Sequence, residues 1–166
     1  PYAACRYCHP AIEAAINIKR KYNIEESQIS LIDIATYDLA VKGHDHTEAL
    51  TTASAKMSIP YGVAAGIIFG KAGLKEYEPE VLKDEKMLKL MQKVSVKADE
   101  NISRQFPKIT TAIVRVLTES GEQYTEQVDY PKGEPENPMT DDEFKDRFIE
   151  LAMYGGKTKD EANEII

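Results

Sequence analysis

The sequence predicts an α+β fold, a small and mostly antiparallel sheet with helices packed on one face. Three observations predict it. Two runs rich in β-branched residues, 109–118 and 123–130, flank Glu119-Ser120-Gly121-Glu122 and read as a hairpin. Apolar residues recur at helical spacing on both sides of that hairpin. The resulting order is helix, strand, helices, hairpin, helices, without the regular strand–helix alternation of a parallel α/β sheet.

Taken from the start, Ile12, Ala15, Ile16 and Ile18 mark a helix from His9 to about Tyr22. Pro10 falls where a first-turn proline is tolerated, and Asn23 can close the helix. Residues Ile29 to Ile34 are β-branched enough to read as a strand that ends near Tyr37. Asp38 to Asp45 reads as an irregular loop, ending in the cluster His44-Asp45-His46, whose histidines are expected at the surface. A second helical region runs from Glu48 to Phe69, and Pro60 should kink or split it. Pro79 is expected to open another helix, continuing with a break to about Val94 through Leu82, Met87, Leu88 and Met91. Val94 to Lys97 is a candidate short strand, and the hairpin follows. After a loop rich in proline, glycine and acid from Pro131 to Pro138, Thr140 and Glu143 form a capping box for a helix ending at Gly155-Gly156. Thr158 and Glu161 repeat the device. The loop before them suggests that these last helices belong to a separate helical body.

At 166 residues the chain is long enough for one domain with a real core. It opens on proline and periodic structure begins at once, so a piece of a longer protein is expected. A net charge of −7 without a basic stripe argues against nucleic acid as partner. The longest apolar run, Tyr61 to Phe69, is far too short to span a bilayer and is broken by Gly62 and Gly66. No signal peptide is read, and two cysteines suit a reducing, cytoplasmic compartment better than a disulfide scaffold.

Cys5-Arg6-Tyr7-Cys8-His9 matches the C-x-x-C-H pattern of covalent haem attachment, with Met57 or Met87 available as an opposite axial ligand. The helix that follows runs straight into an Ala/Ile core pattern, which speaks against a haem there. A structural zinc would need two more ligands, for which His44 and His46 stand as candidates. Cys5 and Cys8 read better as small, partly buried residues beside a site, so neither cofactor nor metal is expected.

Three stretches in order carry a resemblance. YAACRYCHPAIEAA (residues 2–15) resembles the MmgE/PrpD family, where an aromatic–small–Cys–x–x–x–His segment precedes a helix beginning PAI-x-AA. ASAKMSIPYGVAA (residues 53–65) is similar to that family's EAKFSLPY-x-VA segment. VDYPKGEPENPMT (residues 128–140) looks like its D-x-P-x-G-x-P-x-NP-(L/M)-(S/T) loop. The family includes 2-methylcitrate dehydratase, cis-aconitate decarboxylase and iminodisuccinate epimerase, and the resemblance does not choose among them. It implies an enzyme in two parts, a large all-helical domain and a smaller α+β lid with the active site between them. Residues 1–139 would be the lid, and 140–166 the helices returning to the helical domain, which lies outside this sequence. Homodimerisation is implied by the resemblance alone.

Dehydration, decarboxylation and epimerisation of small polycarboxylates all develop negative charge beside a carboxylate, which fixed cations and hydrogen-bond donors must stabilise. His9 is the first candidate for proton transfer, neutral at a helix start and able to donate to substrate; the plain alternative is that it only caps the helix. Arg6 is a candidate carboxylate clamp, and Lys56 a second cation that can reach the same cleft. Tyr37 and Tyr61 are candidate proton donors, each weighed against an aromatic packed in the core with its hydroxyl satisfied. The competing reading is a non-catalytic binding or dimerisation module on the same scaffold.

Overall fold

The computed structural model describes all residues, Pro1 to Ile166. They divide into two compact units, one of residues 2–131 and one of Pro1 with residues 132–166.

In the larger unit the helices are α1 (His9–Tyr22), α2 (Asp38–Val41), α3 (Thr52–Lys56), α4 (Ile59–Phe69), α5 (Glu85–Met91) and α6 (Glu100–Ser103). The strands are β1 (Ile29–Thr36), β2 (Val94–Ala98), β3 (Ala112–Thr118) and β4 (Gln123–Val128), in the order β2-β1-β3-β4. β3 pairs antiparallel with both β1 and β4, while β1 and β2 run parallel. Alternation along the strands sorts the two faces. Ile32, Ile34, Val114 and Val116 point into the core, and α1 packs over β3 and β4. On the other face Asp33 sits opposite Arg115 in register and lies 3.7 Å from its guanidinium and 4.0 Å from the Lys97 ammonium. The hairpin turns at Gly121, whose φ of +86° suits glycine.

The core of this unit is the crossing of α1 and α4. Nine of the eleven residues of α4 are buried, so it is an internal helix, apolar on every side. Gly62 and Gly66 make the close approach possible. A Cβ at residue 62 would lie 2.6 Å from Ile12 Cδ1, and one at residue 66 would lie 3.2 Å from Ala15 Cβ. Pro60 stands in the first turn of α4, where its missing N–H costs nothing, and Ser58 caps the helix by accepting from Tyr61 N.

Several expectations need correction. The region 48–69 is split into two helices, α3 and α4, as expected beside Pro60, but a loop rather than a helical start lies at Glu48. The stretch after β1 is not wholly irregular: Tyr37 lies just past the strand and precedes the single turn α2. No helix opens at Pro79; a 3-10 turn at Val81–Lys83 leads to α5, which starts after Asp84 because that carboxylate accepts from Lys86 N and Met87 N. His44 is buried rather than on the surface, since its carbonyl accepts from Ile59 N and holds the segment against the start of α4.

In the smaller unit, a turn closed by Gly133 N to Asn137 O (2.9 Å) and Asn137 N to Glu134 O (3.0 Å) leads into α7 (Asp141–Tyr154), followed by α8 (Lys159–Asn163). Both predicted capping boxes are formed, at Thr140/Glu143 and Thr158/Glu161. Between the two helices Gly156 takes φ +95°. No residue of α7 is buried, and Phe144, Leu151, Met153 and Tyr154 stand exposed along it.

Candidate active site

The chain reaches α1 through a pinned segment. Ala3 N donates to Ala72 O (2.9 Å), and Cys5 N donates to Lys56 O (2.7 Å), fastening residues 3–5 to the loop after α4 and to the end of α3. A 3-10 turn at Arg6–Cys8 then runs directly into α1, so the helical path begins at Arg6 and His9 stands one turn inside it.

His9 is 7% exposed. Its Nε2–H donates to the carbonyl of Ala4 at 3.1 Å, because a carbonyl can only accept. In the neutral ring Nδ1 therefore carries a lone pair, and that atom is buried without a hydrogen-bond partner. The Tyr2 ring meets the imidazole edge-on at 5.2 Å. Burial, opposed by the Ala4 hydrogen bond and reinforced by Arg6, lowers the His9 pKa to about 4. The expected neutral imidazole is thus present for a different reason: desolvation holds it, and the open N–H groups of the helix start lie a turn earlier. Nor does His9 cap the helix, since its ring reaches back to Ala4. With Nδ1 bare, the group it offers is an acceptor rather than the donor expected from sequence.

Arg6 is exposed beside it; partial burial draws the guanidinium pKa down, opposed electrostatically by Tyr37, Glu13 and Tyr2. Tyr37 is buried, stacked on Phe106 at 4.7 Å and met edge-on by Tyr7 at 6.0 Å, and its phenol is pushed up by burial. Tyr7 also meets His44 edge-on at 5.6 Å. Arg6, His9 and Tyr37 therefore gather around the first turns of α1, and Lys56 joins them through its backbone. Tyr61 is placed differently: it is fully buried in α4, donates to Glu76 O at 2.7 Å and tilts against Tyr77 at 5.1 Å.

Three residues of this cluster were missed in the sequence. Glu13, 8% exposed, accepts from the Tyr2 hydroxyl at 3.2 Å; its i,i+4 spacing from His9 was the available signal. Tyr7 and Phe106 carried none, because the latter comes from a distant loop. No group of three or more His, Cys, Asp or Glu side chains is arranged to hold a metal ion. Cys8 has no exposed surface, which leaves its sulfur no open face for a haem vinyl group. A cavity of about 730 Å³ lies elsewhere, lined by Leu50, Pro79, Leu82 and Leu88 among others, and holds none of the predicted site residues.

The family described as the MmgE/PrpD C-terminal domain matches residues 2–166. The chain belongs to the MmgE/PrpD family. Among curated relatives it is similar to a cis-aconitate decarboxylase-like protein, oryM, of Aspergillus oryzae, with 29% identity over 154 residues. That match covers 87% of this chain and 31% of the relative, so the chain spans about a third of the length of the protein it matches. As an MmgE/PrpD C-terminal domain it comes from a family with dehydratases and decarboxylases, and its α+β fold agrees with what the three sequence stretches implied. No helix is long and apolar enough to cross a membrane.

Proposed function

We propose that this chain supplies one wall of the active site of a cofactor-independent lyase or isomerase. Its substrate is a small di- or tricarboxylate, and the opposite wall comes from a helical domain outside this sequence. The observation that carries the reading is His9: a neutral imidazole with one nitrogen tied to Ala4 O and the other buried without a partner, next to the Arg6 cation. An unpartnered buried lone pair costs stability, on the order of 1–3 kcal/mol, a cost that a hydrogen bond from the substrate would remove.

In this role Nδ1 accepts a proton or a hydrogen bond from the substrate, and the imidazolium formed is stabilised at Nε2–H by the Ala4 carbonyl. Arg6 binds a carboxylate and offsets the charge developing beside it. Tyr37 and Lys56 are proposed at the margin of the same cleft. Tyr61 acts as a proton donor only if its hydroxyl leaves Glu76 O. The exposed apolar residues of α7 are proposed to pack on the helical domain. Homodimerisation and a cytoplasmic location are carried forward as part of the same proposal.

The test uses the full-length protein. Turnover of 2-methylcitrate, cis-aconitate and iminodisuccinate is followed by NMR, and His9→Ala is expected to cut turnover of the active substrate at least about tenfold. Undiminished turnover in the variant removes His9 from the mechanism. No turnover of any polycarboxylate by the parent protein favours the binding-module reading instead.

A further inference from the structure

The C-x-x-C pair takes no part in the chemistry above. We propose that Cys5 and Cys8 are a redox pair that closes to an intramolecular disulfide when the protein meets a hydroperoxide.

The geometry of the turn carries the argument. Cys5 is the residue preceding the 3-10 turn, with φ −53° and ψ 139°, and Cys8 is its last residue. Cys8 N donates to Cys5 O at 2.9 Å, which closes the turn and brings the two residues onto one face. A turn closed by an i to i+3 hydrogen bond holds the two Cα atoms within about 7 Å, against the roughly 4.4–6.8 Å that a disulfide spans. A residue at the cap position folds its side chain over the first turn, towards the third residue of the helix. Here that third residue is Cys8. Cys5 makes no side-chain capping hydrogen bond, so its thiol is not committed elsewhere. The two thiols feel each other electrostatically, as neighbours do.

The two cysteines also differ as a reactive pair should. Cys5 is partly exposed, whereas Cys8 has no exposed surface and its thiol is held protonated by burial. An oxidant in solution therefore meets Cys5 first. The Cys5 thiolate attacks one peroxide oxygen, the O–O bond breaks, and hydroxide leaves to take up a proton as water. Cys5 is now a sulfenic acid. The Cys8 sulfur attacks the Cys5 sulfur, the S–S bond forms, and hydroxide departs with the Cys8 proton as a second water. Two thiols lose two electrons and two protons, and one hydroperoxide is reduced. Because the resolving thiol is internal, the second step needs no partner molecule. The closed ring spans the turn that carries Arg6 and leads into His9, so oxidation would be felt there.

The test is alkylation and mass spectrometry on the whole protein, before and after hydrogen peroxide. Reduced protein should label at Cys5 at least about tenfold faster than at Cys8 under native conditions. Oxidised protein should be about 2 Da lighter and take no label even when unfolded, and dithiothreitol should restore both sites. Cys8→Ala should instead accumulate sulfenic or sulfinic acid on Cys5, and Cys5→Ser should leave Cys8 unmodified at the same dose. Wild-type protein that carries sulfinic acid on Cys5 with an alkylatable Cys8, or that forms disulfide-linked dimers, overturns the proposal.

Discussion

Helices α4 and α7 are close to opposites, and the difference separates two ways in which a sequence specifies a helix. Nine of eleven residues in α4 are buried, and none of fourteen in α7. α4 contains two glycines and a proline, poor residues by intrinsic propensity. It holds because the glycines let it press against α1 and bury its whole length. α7 has better helix formers and a complete capping box, and its first turn carries Asp141, Asp142 and Glu143 where acids suit the dipole. Packing specifies the first helix and local chemistry the second. Each can be broken by a change that should leave the other alone.

The largest expected effect falls on the packed region and comes through pH. The His9 pKa is lowered to about 4 in the folded chain from an ordinary 6.5. Below pH 6.5 the unfolded chain takes up a proton that the folded chain refuses, so stability is lost as pH falls towards 4; above 6.5 the group contributes no slope. The full loss is about 3 kcal/mol. Urea midpoints followed by tyrosine circular dichroism should therefore drop between about pH 7 and pH 4.5 more in the parent than in His9→Gln. Equal slopes in the two proteins would mean that the imidazole is not held neutral. The next effect is steric. In Gly62→Ala the new methyl would stand 2.6 Å from Ile12 Cδ1 and 2.7 Å from Cγ1, and Ile12 is itself fully buried. Overpacking of this kind costs about 1–3 kcal/mol, against which alanine regains up to about 1 kcal/mol of helix propensity. A net loss of about 1–2 kcal/mol is expected. Ile12→Val removes Cδ1 and should recover part of it in the double variant, whereas Gly66→Ala, with contacts of 3.2 Å to Ala15 Cβ and 3.3 Å to the Ile12 carbonyl, should cost less than Gly62→Ala and gain nothing from Ile12→Val.

The same division explains what could be read from sequence. Capping boxes at Thr140 and Thr158, and the hairpin turn at Gly121, were legible because each signal lies within a few residues. The parallel pairing of β1 with β2 was not, because four helices separate the strands and no local residue names the neighbour. Gly62 and Gly66 read as interruptions of an apolar run, since their meaning depends on Ile12 and Ala15 across the crossing. At the candidate site, the position of Arg6 and His9 at a helix start was legible. The tautomer of His9 was not, because it is set by where the Ala4 carbonyl ends up. His44 looked like a surface residue for the same reason: the bond from Ile59 N to its carbonyl is invisible until the chain has folded.

The smallest effect tests the local half of the comparison. Thr140 Oγ1 accepts from Glu143 N at 3.2 Å, and Glu143 Oε2 accepts from Thr140 N at 2.8 Å. Thr140→Ala removes the first of these and costs about 1 kcal/mol at an N-cap. If α7 is held by its cap, amide hydrogen exchange in its first turns should quicken about fivefold. Thr140→Ser, which keeps the hydroxyl, should restore the parent rate. Exchange in α4 should not change in either variant, because nothing in its burial depends on residue 140. Unaltered exchange in α7 would show that its helicity comes from packing after all, and the contrast with α4 would then be one of degree.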